Sequence, residues 1–333
     1  MAKKIRILKI AVLGAGYMGQ NHVKILSSLP NVSLVAVCDI DKQKADKLAK
    51  QYKIRQYSNF LTLFEKEVLD TVSICLPTTL HYSAAVQAIK RRLPIFLEKP
   101  ICSTVREAKK LTALAKKHNI AVMVGHIERF NPVVNEIKQR IASGELGKII
   151  KIHTQRFSPP PSSKQDISVI VDLATHDIDV MRYILNDSPT RIFSETSTHL
   201  YKKEALMSAL LRFPKGVIGL VEVSWLHPVK TRNLTIIGEN GMYHANYLTQ
   251  ELFFYRQNKQ LFKNDLNPLS AINQADVVKI AFESKEPLYL ELKAFTESLI
   301  NGNSMPVTAK EGLIALEVAE KMSKSANIHK ILK

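Results

Sequence analysis

Residues 5–125 alternate between apolar runs of strand length and amphipathic segments of helical length. The apolar runs are rich in Val and Ile and lack polar alternation, which predicts strands buried on both faces, as in a parallel sheet. The predicted strands are IRILKIAVL, VSLVAVC, TVSICLP, PIFLEKP and IAVMVG. The predicted helices between them are Gly19–Leu29, Lys42–Tyr52, Phe60–Glu67, His81–Arg92 and Thr104–His118. This βαβα order indicates a doubly wound α/β sheet.

The pattern changes after residue 125. A predicted helix, Phe130–Ser143, precedes GKIIKIHTQRF, which alternates like a strand with one exposed face. Beyond a proline-rich loop, SPPPSSKQD, and one more helix, several strand candidates follow with little helix between them, which suggests an antiparallel sheet. They are RIFSETSTHL, ALMSALLRF, VIGLVEVSWL, RNLTIIG, MYHANYL and ELFFYRQ.

Two further helices, Leu288–Ile300 and Ala309–Lys324, close the chain. We therefore predict two domains. Residues 1–125 form the α/β domain, and residues 126–333 form an α+β domain with an open, mostly antiparallel sheet and helices on one face. The uncovered face of that sheet predicts association with a second copy, so we expect a homo-oligomer, either a dimer or a tetramer.

The first predicted strand ends in Gly14-Ala15-Gly16-Tyr17-Met18-Gly19, a G-x-G-x-x-G sequence that opens a helix. Gly14 permits a tight turn, Gly16 lets the backbone approach a pyrophosphate, and Gly19 allows close packing of helix on strand. The N–H groups at the helix start then meet the phosphates. The motif predicts a dinucleotide-binding Rossmann domain.

Asp39 ends the second predicted strand, 20 residues after Gly19, and predicts which dinucleotide binds. A carboxylate there accepts hydrogen bonds from the adenosine ribose and repels a 2′-phosphate, so NAD is favoured over NADP. Lys42 and Arg55 lie nearby in sequence and can soften this preference. The prediction remains NAD.

The chain has a formal net charge of +17, which permits binding to nucleic acid or to an acidic substrate. Runs such as Lys90-Arg91-Arg92 end predicted helices, where cations suit the helix dipole, and no aromatic residues on which bases stack are interleaved with them. We therefore predict a solvated basic surface and no nucleic-acid partner. Binding of a small anionic substrate remains an open alternative.

The three cysteines, Cys38, Cys75 and Cys102, share no metal-ligand spacing, and we predict no metal site. No apolar stretch approaches the eighteen or so residues that a membrane helix needs, and the apolar run near the start is too short and interrupted for a signal peptide. These features predict a cytoplasmic protein without a membrane partner.

A largely apolar helix, VIVDLATHDIDVM from Val169 to Met181, carries Asp172, His176 and Asp179 at i, i+4 and i+7. That spacing places all three on one helix face. Asp179 either supports the helix or faces a partner such as Arg182. Asp177 lies off this face, and both a supporting and a surface position remain open for it.

The dinucleotide motif, the Glu98-Lys99-Pro100 that ends the predicted strand PIFLEKP, and Asp172-x-x-x-His176 together resemble the family of glucose–fructose oxidoreductases and inositol dehydrogenases. The resemblance covers essentially the whole chain. Within that family, HIERFNP from His126, RFSPPP and THDIDVMRYIL are similar to the branch of UDP-N-acetylglucosamine 3-dehydrogenases.

The resemblance implies that Lys99 and His176 act on a reacting hydroxyl, with Asp172 holding the imidazole or binding a sugar hydroxyl. Elementary chemistry agrees, because a neutral imidazole can take the hydroxyl proton near pH 7. An ammonium group can stabilise the developing alkoxide.

Further predicted contacts follow the ends of strands. Besides the three glycines and Asp39, the predicted cofactor contacts are Tyr17, Met18, Leu76, Pro77, Thr78, His81, Glu98 and Lys99. For His81 the alternatives are lining the nicotinamide pocket and merely beginning its helix. The predicted substrate contacts are Lys99, Arg129, Asn131, Arg156, Asp172 and His176. An arginine fork suits the diphosphate of a UDP-sugar, although Arg129 could equally brace the domain junction.

The leading hypothesis is an NAD-dependent dehydrogenase that oxidises carbon 3 of a UDP-N-acetylhexosamine, such as UDP-N-acetylglucosamine, to a 3-oxo sugar suited to a later aminotransferase. One alternative is a dehydrogenase of a free polyol or sugar such as inositol. Another is a non-catalytic protein that senses NAD or a sugar, although such a sensor has no need of Lys99 and His176 together.

Overall fold

The computed structural model describes residues 6–160, 168–199, 201–257 and 276–333. Most of the predicted proline-rich loop, namely residues 161–166, lies outside that range. The chain divides into two compact units. The first comprises Met1–Ile127 and Glu286–Glu317, and the second comprises Glu128–Lys285 and Val318–Lys333. The predicted division placed everything after residue 125 in the second domain, whereas residues 286–317 belong to the first.

The first unit contains a six-stranded parallel sheet in the order β3-β2-β1-β4-β5-β6. The strands are β1 (Leu8–Leu13), β2 (Val32–Cys38), β3 (Arg55–Tyr57), β4 (Thr71–Ile74), β5 (Ile95–Glu98) and β6 (Val122–Gly125). Every residue of β4, β5 and β6 is buried, which explains their continuous apolar sequences. The predicted doubly wound parallel sheet is confirmed. Strand β3 was not predicted, because it has only three residues and no apolar run.

The helices in the described residues are α1 (Tyr17–Leu26), α2 (Lys42–Tyr52), α3 (Phe60–Lys66), α4 (Thr78–Lys90), α5 (Val105–His118), α6 (Pro132–Ala142), α7 (Thr175–Leu185), α8 (Pro287–Asn301) and α9 (Ala309–Ile328). Side-chain caps set several of their starts. The Asp41 carboxylate accepts hydrogen bonds from two N–H groups in the first turn of α2, and the Thr104 hydroxyl accepts a hydrogen bond from one N–H group in the first turn of α5. Within the described ranges, none of these helices is both long enough and apolar enough to cross a bilayer.

Residues near the end of the chain complete the first unit. Phe295 of α8 packs edge-on against Phe96 of β5, with ring centroids 5.5 Å apart. The N–H of Val124 in β6 donates to the Val307 carbonyl at 3.0 Å. These contacts join segments about two hundred residues apart in sequence, which explains why local patterns did not reveal them.

The second unit contains an eight-stranded sheet in the order β14-β13-β12-β11-β7-β10-β9-β8. Its strands are β7 (Ile149–Phe157), β8 (Arg191–Ser197), β9 (Leu206–Arg212), β10 (Ile218–Ser224), β11 (Thr231–Gly238), β12 (Gly241–Asn246), β13 (Glu251–Arg256) and β14 (Asp276–Ile280). Strands β7 and β10 are parallel, and the other neighbouring pairs are antiparallel. The predicted mostly antiparallel sheet is confirmed, with β14 as an unpredicted edge strand.

Side chains alternate between the two faces of this sheet. Along β7, Thr154 and Arg156 are buried on the face against which α7 packs, whereas His153 and Gln155 are only half-buried on the other. We call that second face the open face. A row of residues that pair across neighbouring strands lies on it: Phe193, Leu210, Leu220, His153, Thr235, His244 and Phe253. The helices therefore cover one face, as predicted.

Candidate active site

The glycine turn after β1 has the geometry that its sequence requires. Gly14 has a φ of +103°, and a Cβ there would lie 2.4 Å from the carbonyl oxygen of Cys75, just beyond β4. A Cβ on Gly19 would lie 1.9 Å from the carbonyl oxygen of Gly14. Neither position can hold a larger residue without moving backbone. The turn lies between β1 and β4, where the strand order reverses and doubly wound sheets bind dinucleotides.

Gly16 is exposed, and a Cβ built on it meets nothing within 4 Å. It precedes α1, whose first turn receives no side-chain cap. The N–H groups at this helix start therefore face open space, which is the arrangement that binds a pyrophosphate. The site fits the predicted dinucleotide.

Asp39 is held rigidly beside this turn. One carboxylate oxygen accepts the N–H of Ala15 at 2.6 Å, and the other accepts the N–H of Asp41 at 2.8 Å. Each oxygen keeps a second lone pair that can accept a ribose hydroxyl. The carboxylate thus connects the glycine turn with the end of β2, where the adenosine ribose is expected.

Glu98 and Lys99 lie at the carboxyl end of β5. Glu98 is buried, and its Oε2 accepts the backbone N–H of Lys99 at 3.2 Å, while its Oε1 lies 3.0 Å from Nε2 of His22. The Lys99 side chain is half-buried, and the peptide bond that joins it to Pro100 is cis. The Glu98 carboxylate, predicted as a cofactor contact, is thus occupied by protein groups around Lys99.

His22 lies in α1 and is fully buried. Its Nδ1 is 2.8 Å from the hydroxyl of Ser73 in β4. Burial alone lowers the pKa of His22, but the Cys75 thiol and the Glu98 carboxylate outweigh burial and raise the pKa to about 10. The imidazole is therefore a buried cation that joins the cofactor helix, β4 and β5.

His81 is also buried, in the first turn of α4. Its two ring nitrogens lie 2.8 Å from the carbonyl oxygen of Leu76 and 2.9 Å from that of Pro100. Burial lowers its pKa, so the ring is neutral and donates to one carbonyl at a time. His81 thus ties the turn after β4 to the segment after β5. Leu76 and Pro77 lie just before α4, Thr78 is its first residue, and all three keep some exposure.

Asp172 and His176 lie at a change of helix type in the second unit. Ile170–Ala174 forms a π-helical turn that continues directly into α7. Asp172 is in the π turn, His176 is in the first turn of α7, and both are half-buried. The three residues predicted to share one face of a regular α-helix therefore do not all lie in one, because Asp172, the first of them, is in the π turn. Such turns are frequent at functional sites.

The Arg129 and Asp179 side chains form a buried ion pair. The Nε and Nη2 atoms of Arg129 donate to the two carboxylate oxygens of Asp179 at 2.7 and 2.6 Å. Asp179 thus supports α7, one of its two predicted roles, and its partner is Arg129. The Arg182 Nε instead donates to Ser188.

Arg156 forms a second buried pair, with Asp177. Its Nε and Nη2 donate to Asp177 at 2.8 and 3.1 Å, and its Nη1 donates to Glu128 at 2.9 Å. Burial alone would lower the pKa of Arg156, but the two carboxylates raise it above its usual value. Asp177 is 1% exposed, which resolves its open assignment in favour of a supporting position.

Asn131 caps α6 and uses its amide within the protein. Its Oδ1 accepts the N–H of Val133, and its Nδ2 donates to Glu128 and to the Tyr247 carbonyl. The predicted substrate contacts Arg129, Asn131 and Arg156 are therefore all buried and engaged with protein groups. This arrangement weighs against their meeting a diphosphate.

Two functional candidates were missed from the sequence: His22 and Arg232. Arg232, in β11, is opposite Arg156 in the strand register and is buried. A histidine among apolar residues in the cofactor helix was a usable signal for His22. Nothing in the sequence around Arg232 indicates a functional role, since an arginine at this position is typical of an ordinary strand. Among the described residues, no group of three or more His, Cys, Asp or Glu side chains could hold a metal ion.

Comparison with known proteins agrees with this geometry. A model described as an oxidoreductase family with an NAD-binding Rossmann fold matches residues 8–126, and the GFO/IDH/MocA C-terminal domain matches residues 134–244. The scyllo-inositol 2-dehydrogenase (NAD(+)) of Bacillus subtilis (strain 168) is 28% identical over 326 residues, 93% of this chain and 92% of that protein.

A UDP-N-acetylglucosamine 3-dehydrogenase of Acidithiobacillus ferrooxidans is 22% identical over 250 residues, 75% of this chain and 77% of that protein. The solved structure of UDP-N-acetylglucosamine 3-dehydrogenase GnnA from that organism superimposes with a TM-score of 0.84 at 19% identity, covering 97% of this chain and 98% of that one. An oxidoreductase from Agrobacterium radiobacter, solved with NAD+, L-tartaric acid and magnesium, gives 0.84 at 20% identity over 98% of both chains. The chain therefore belongs to the GFO/IDH/MocA family of NAD-binding oxidoreductases, and its cofactor is NAD.

Proposed function

We propose that this chain is an NAD-dependent dehydrogenase that oxidises carbon 3 of UDP-N-acetylglucosamine or of a related UDP-N-acetylhexosamine. The observation that carries the proposal is the position of Lys99. It directly follows a strand at the carboxyl end of a parallel sheet, where such folds bind ligands, and Glu98 holds its backbone. The similarity of three sequence segments to the UDP-sugar branch, and the relative from A. ferrooxidans, support the choice of substrate.

The chemistry requires a secondary alcohol to lose a hydride from carbon and a proton from oxygen. Bound NAD supplies the hydride acceptor. The imidazole of His176 takes the hydroxyl proton, and the ammonium group of Lys99 stabilises the negative charge that develops on oxygen. Asp172 orients the imidazole or binds a neighbouring sugar hydroxyl. The products are a ketone, NADH and a protonated His176 that returns its proton to water.

A dehydrogenase of a free cyclitol is the second candidate. The scyllo-inositol 2-dehydrogenase of B. subtilis has the higher identity and spans more of this chain than the UDP-sugar relative. The buried pairs of Arg129 and Arg156 also favour it, because they remove the two arginines first expected at a diphosphate. A non-catalytic NAD- or sugar-sensing protein is the third candidate, and it leaves Lys99 and His176 without a shared purpose.

One experiment separates these functions. The purified protein is incubated with NAD and, in parallel, with UDP-N-acetylglucosamine, related UDP-sugars, free N-acetylglucosamine and scyllo-inositol, while the absorbance of NADH is followed. We expect turnover only with a UDP-N-acetylhexosamine, and a product oxidised at carbon 3 by NMR. Turnover with scyllo-inositol alone would establish the cyclitol function. No turnover with any sugar, despite NAD binding, would favour the sensor.

We also propose that the protein acts as a homo-oligomer. The open face exposes a continuous apolar group at the β8–β10 end of its row, namely Phe193, Leu210 and Leu220. Leu210 is 49% exposed although it lies within a strand. Burying this group against a second copy removes apolar surface from water. A face of this kind suits a closed, symmetric dimer or tetramer.

A further inference from the structure

The buried arginines of the second unit differ in what their guanidinium groups contact. Arg129 and Arg156 each form a two-point pair with an aspartate. Arg232 donates only through Nη1, to the carbonyl oxygens of Phe157 and Thr231. Within residues 6–160, 168–199, 201–257 and 276–333, its Nε and Nη2 have no hydrogen-bond partner, and neither of these two nitrogen atoms is completely buried.

Arg232 is nevertheless only 8% exposed. It lies directly opposite Arg156 in the β11–β7 register, so the two guanidinium groups project from the same face of the sheet. Burial and the neighbouring Arg156 lower the pKa of Arg232 to about 10. The negative charges of three carboxylates act in the opposite direction and raise the pKa of Arg232, although none of them forms an ion pair with it. They belong to Asp177, Glu128 and Asp172. The charge of Arg232 is therefore incompletely balanced within the protein.

The Nε and Nη2 atoms of Arg232 are unpaired within the protein but are not closed off from solvent, so both can donate to a ligand. Neighbouring carboxylates do not accept these hydrogen bonds, because Asp177 and Glu128 are both bound to Arg156. Asp172, whose charge also acts on Arg232, is a proposed substrate contact. The open donors of Arg232 thus belong to the same side of the unit as the proposed substrate site.

We propose that Arg232 binds a phosphate of the substrate's diphosphate through Nε and Nη2, and so distinguishes a nucleotide sugar from a free sugar. This proposal rests on the proposed function. The planar guanidinium fork matches two oxygens of a phosphate, which a lysine cannot do. Arg232 replaces Arg129 and Arg156 as the diphosphate arginine, since each of those two already forms a two-point pair with an aspartate.

The test uses UDP as the probe, with affinity measured by calorimetry on the full chain in the presence of NAD. Arg232→Gln should weaken UDP binding by about 10- to 100-fold, the usual loss for a hydrogen-bonded charge pair. Arg232→Lys keeps the charge but loses the fork, and it should recover only part of that affinity. Lys230→Gln removes an equal charge from an exposed neighbour and should bind UDP like the wild type.

Three readouts separate this role from a structural one. The KM for UDP-N-acetylglucosamine should rise in Arg232→Gln, whereas the affinity for NAD and the thermal midpoint should stay close to those of Lys230→Gln. If Arg232→Gln fails to fold, Arg232→Lys decides: UDP affinity equal to wild type in that variant overturns the proposal. UDP binding that is unchanged in a folded Arg232→Gln, by an enzyme that oxidises UDP-sugars, overturns the inference and leaves the proposed function standing. A wild-type protein that oxidises scyllo-inositol and binds no UDP overturns both.

Discussion

The Nε2 of His22 lies 3.0 Å from one carboxylate oxygen of Glu98, and the other oxygen of that carboxylate holds the backbone N–H of Lys99. The NAD-binding helix is therefore connected to the proposed catalytic lysine through one buried ion pair. Gly125 faces this carboxylate so closely that a Cβ there would lie 3.1 Å from it. The carboxylate has little freedom to turn away from either partner.

Replacing His22 with Gln should slow catalysis more than it weakens cofactor binding, because Glu98 would lose its cation and hold Lys99 less firmly. We expect kcat to fall by about ten-fold or more, consistent with a small misplacement of a catalytic group, with a near-normal Kd for NAD. Steady-state kinetics and NAD titration measure the two effects separately. Equal losses in both would mean that His22 only supports the fold.

The same pair should make stability depend on pH. The pKa of His22 is about 10 in the folded protein against 6.5 in an unfolded chain, so the protonated form stabilises the fold. That contribution is complete below pH 6.5 and is lost as the pH rises through about 10. The difference in unfolding free energy between wild type and His22→Gln should therefore shrink from pH 6 to pH 10 in urea titrations. A difference independent of pH would show that the imidazole is neutral.

Asp39→Ala should reduce the preference for NAD by about 1.5–3 kcal/mol, the usual value of a hydrogen bond to a charged group. The variant also frees the N–H of Ala15, so some loss of affinity for both cofactors is expected from a looser glycine turn. Kinetics with NAD and NADP measure the ratio. Equal efficiency with both cofactors in the unmutated enzyme would contradict the assigned role of Asp39.

His176→Asn and Lys99→Met should each lower turnover by about two to four orders of magnitude, because each removes a group that acts on the reacting hydroxyl. His176→Asn should also preserve the fold and NAD binding. The double variant should be little worse than the poorer single one, since the two groups act as a unit. Asp172→Asn should be milder and should act mainly on KM. A His176→Asn enzyme with normal turnover at pH 7 would assign the proton to another group.

Arg129→Met should destabilise the protein by about 3–5 kcal/mol, because it removes the cation that pairs at two points with the buried carboxylate of Asp179. Adding Asp179→Leu should recover much of that loss, since neither charge then remains. Chemical denaturation of the two single variants and of the double variant gives the coupling energy. Additive losses would show that the two side chains do not depend on each other.

Leu210→Glu places a charge in the apolar group of the open face and should convert the oligomer into a smaller species. Light scattering at micromolar concentration measures the mass. The control is Val68→Glu, which alters an exposed apolar residue of the first unit. A wild-type protein that is already monomeric would contradict assembly through this face.

The fold could be predicted from sequence wherever local patterns determine it. Helix α2 was predicted to the residue because Asp41 caps its start and the chain turns left-handed at Lys53, just after its end. Strand β3 and strand β14 were missed because nearly all of their side chains are exposed or only half-buried. A strand that buries few side chains carries little of the periodicity on which prediction depends.

The site was harder to predict, because residue type does not reveal a partner. Arg129 and Arg156 were placed at a diphosphate because arginine suits phosphate, but their partners lie 50 and 21 residues further along the chain. Asp177 and Asp179 lie on α7 with only Ile178 between them, yet each carboxylate pairs with a different arginine. Only the packing of α7 against the sheet decides which arginines are committed and leaves Arg232 open.

The unit that binds NAD is begun first during synthesis but is not complete until Glu128–Lys285 of the second unit has been made. Its six strands have all been synthesised once residue 125 has been added, but α8 and the Val307 segment that complete it come more than 160 residues later. Since chains fold from the N-terminus as they are translated, the sheet must wait with the surface around Phe96 uncovered while the whole of Glu128–Lys285 is made. A ribosome that stops near residue 285 therefore releases a chain in which both units are incomplete, since the NAD-binding unit lacks Glu286–Glu317 and the second unit lacks Val318–Lys333. The uncovered surface around Phe96 is where a chaperone would be needed.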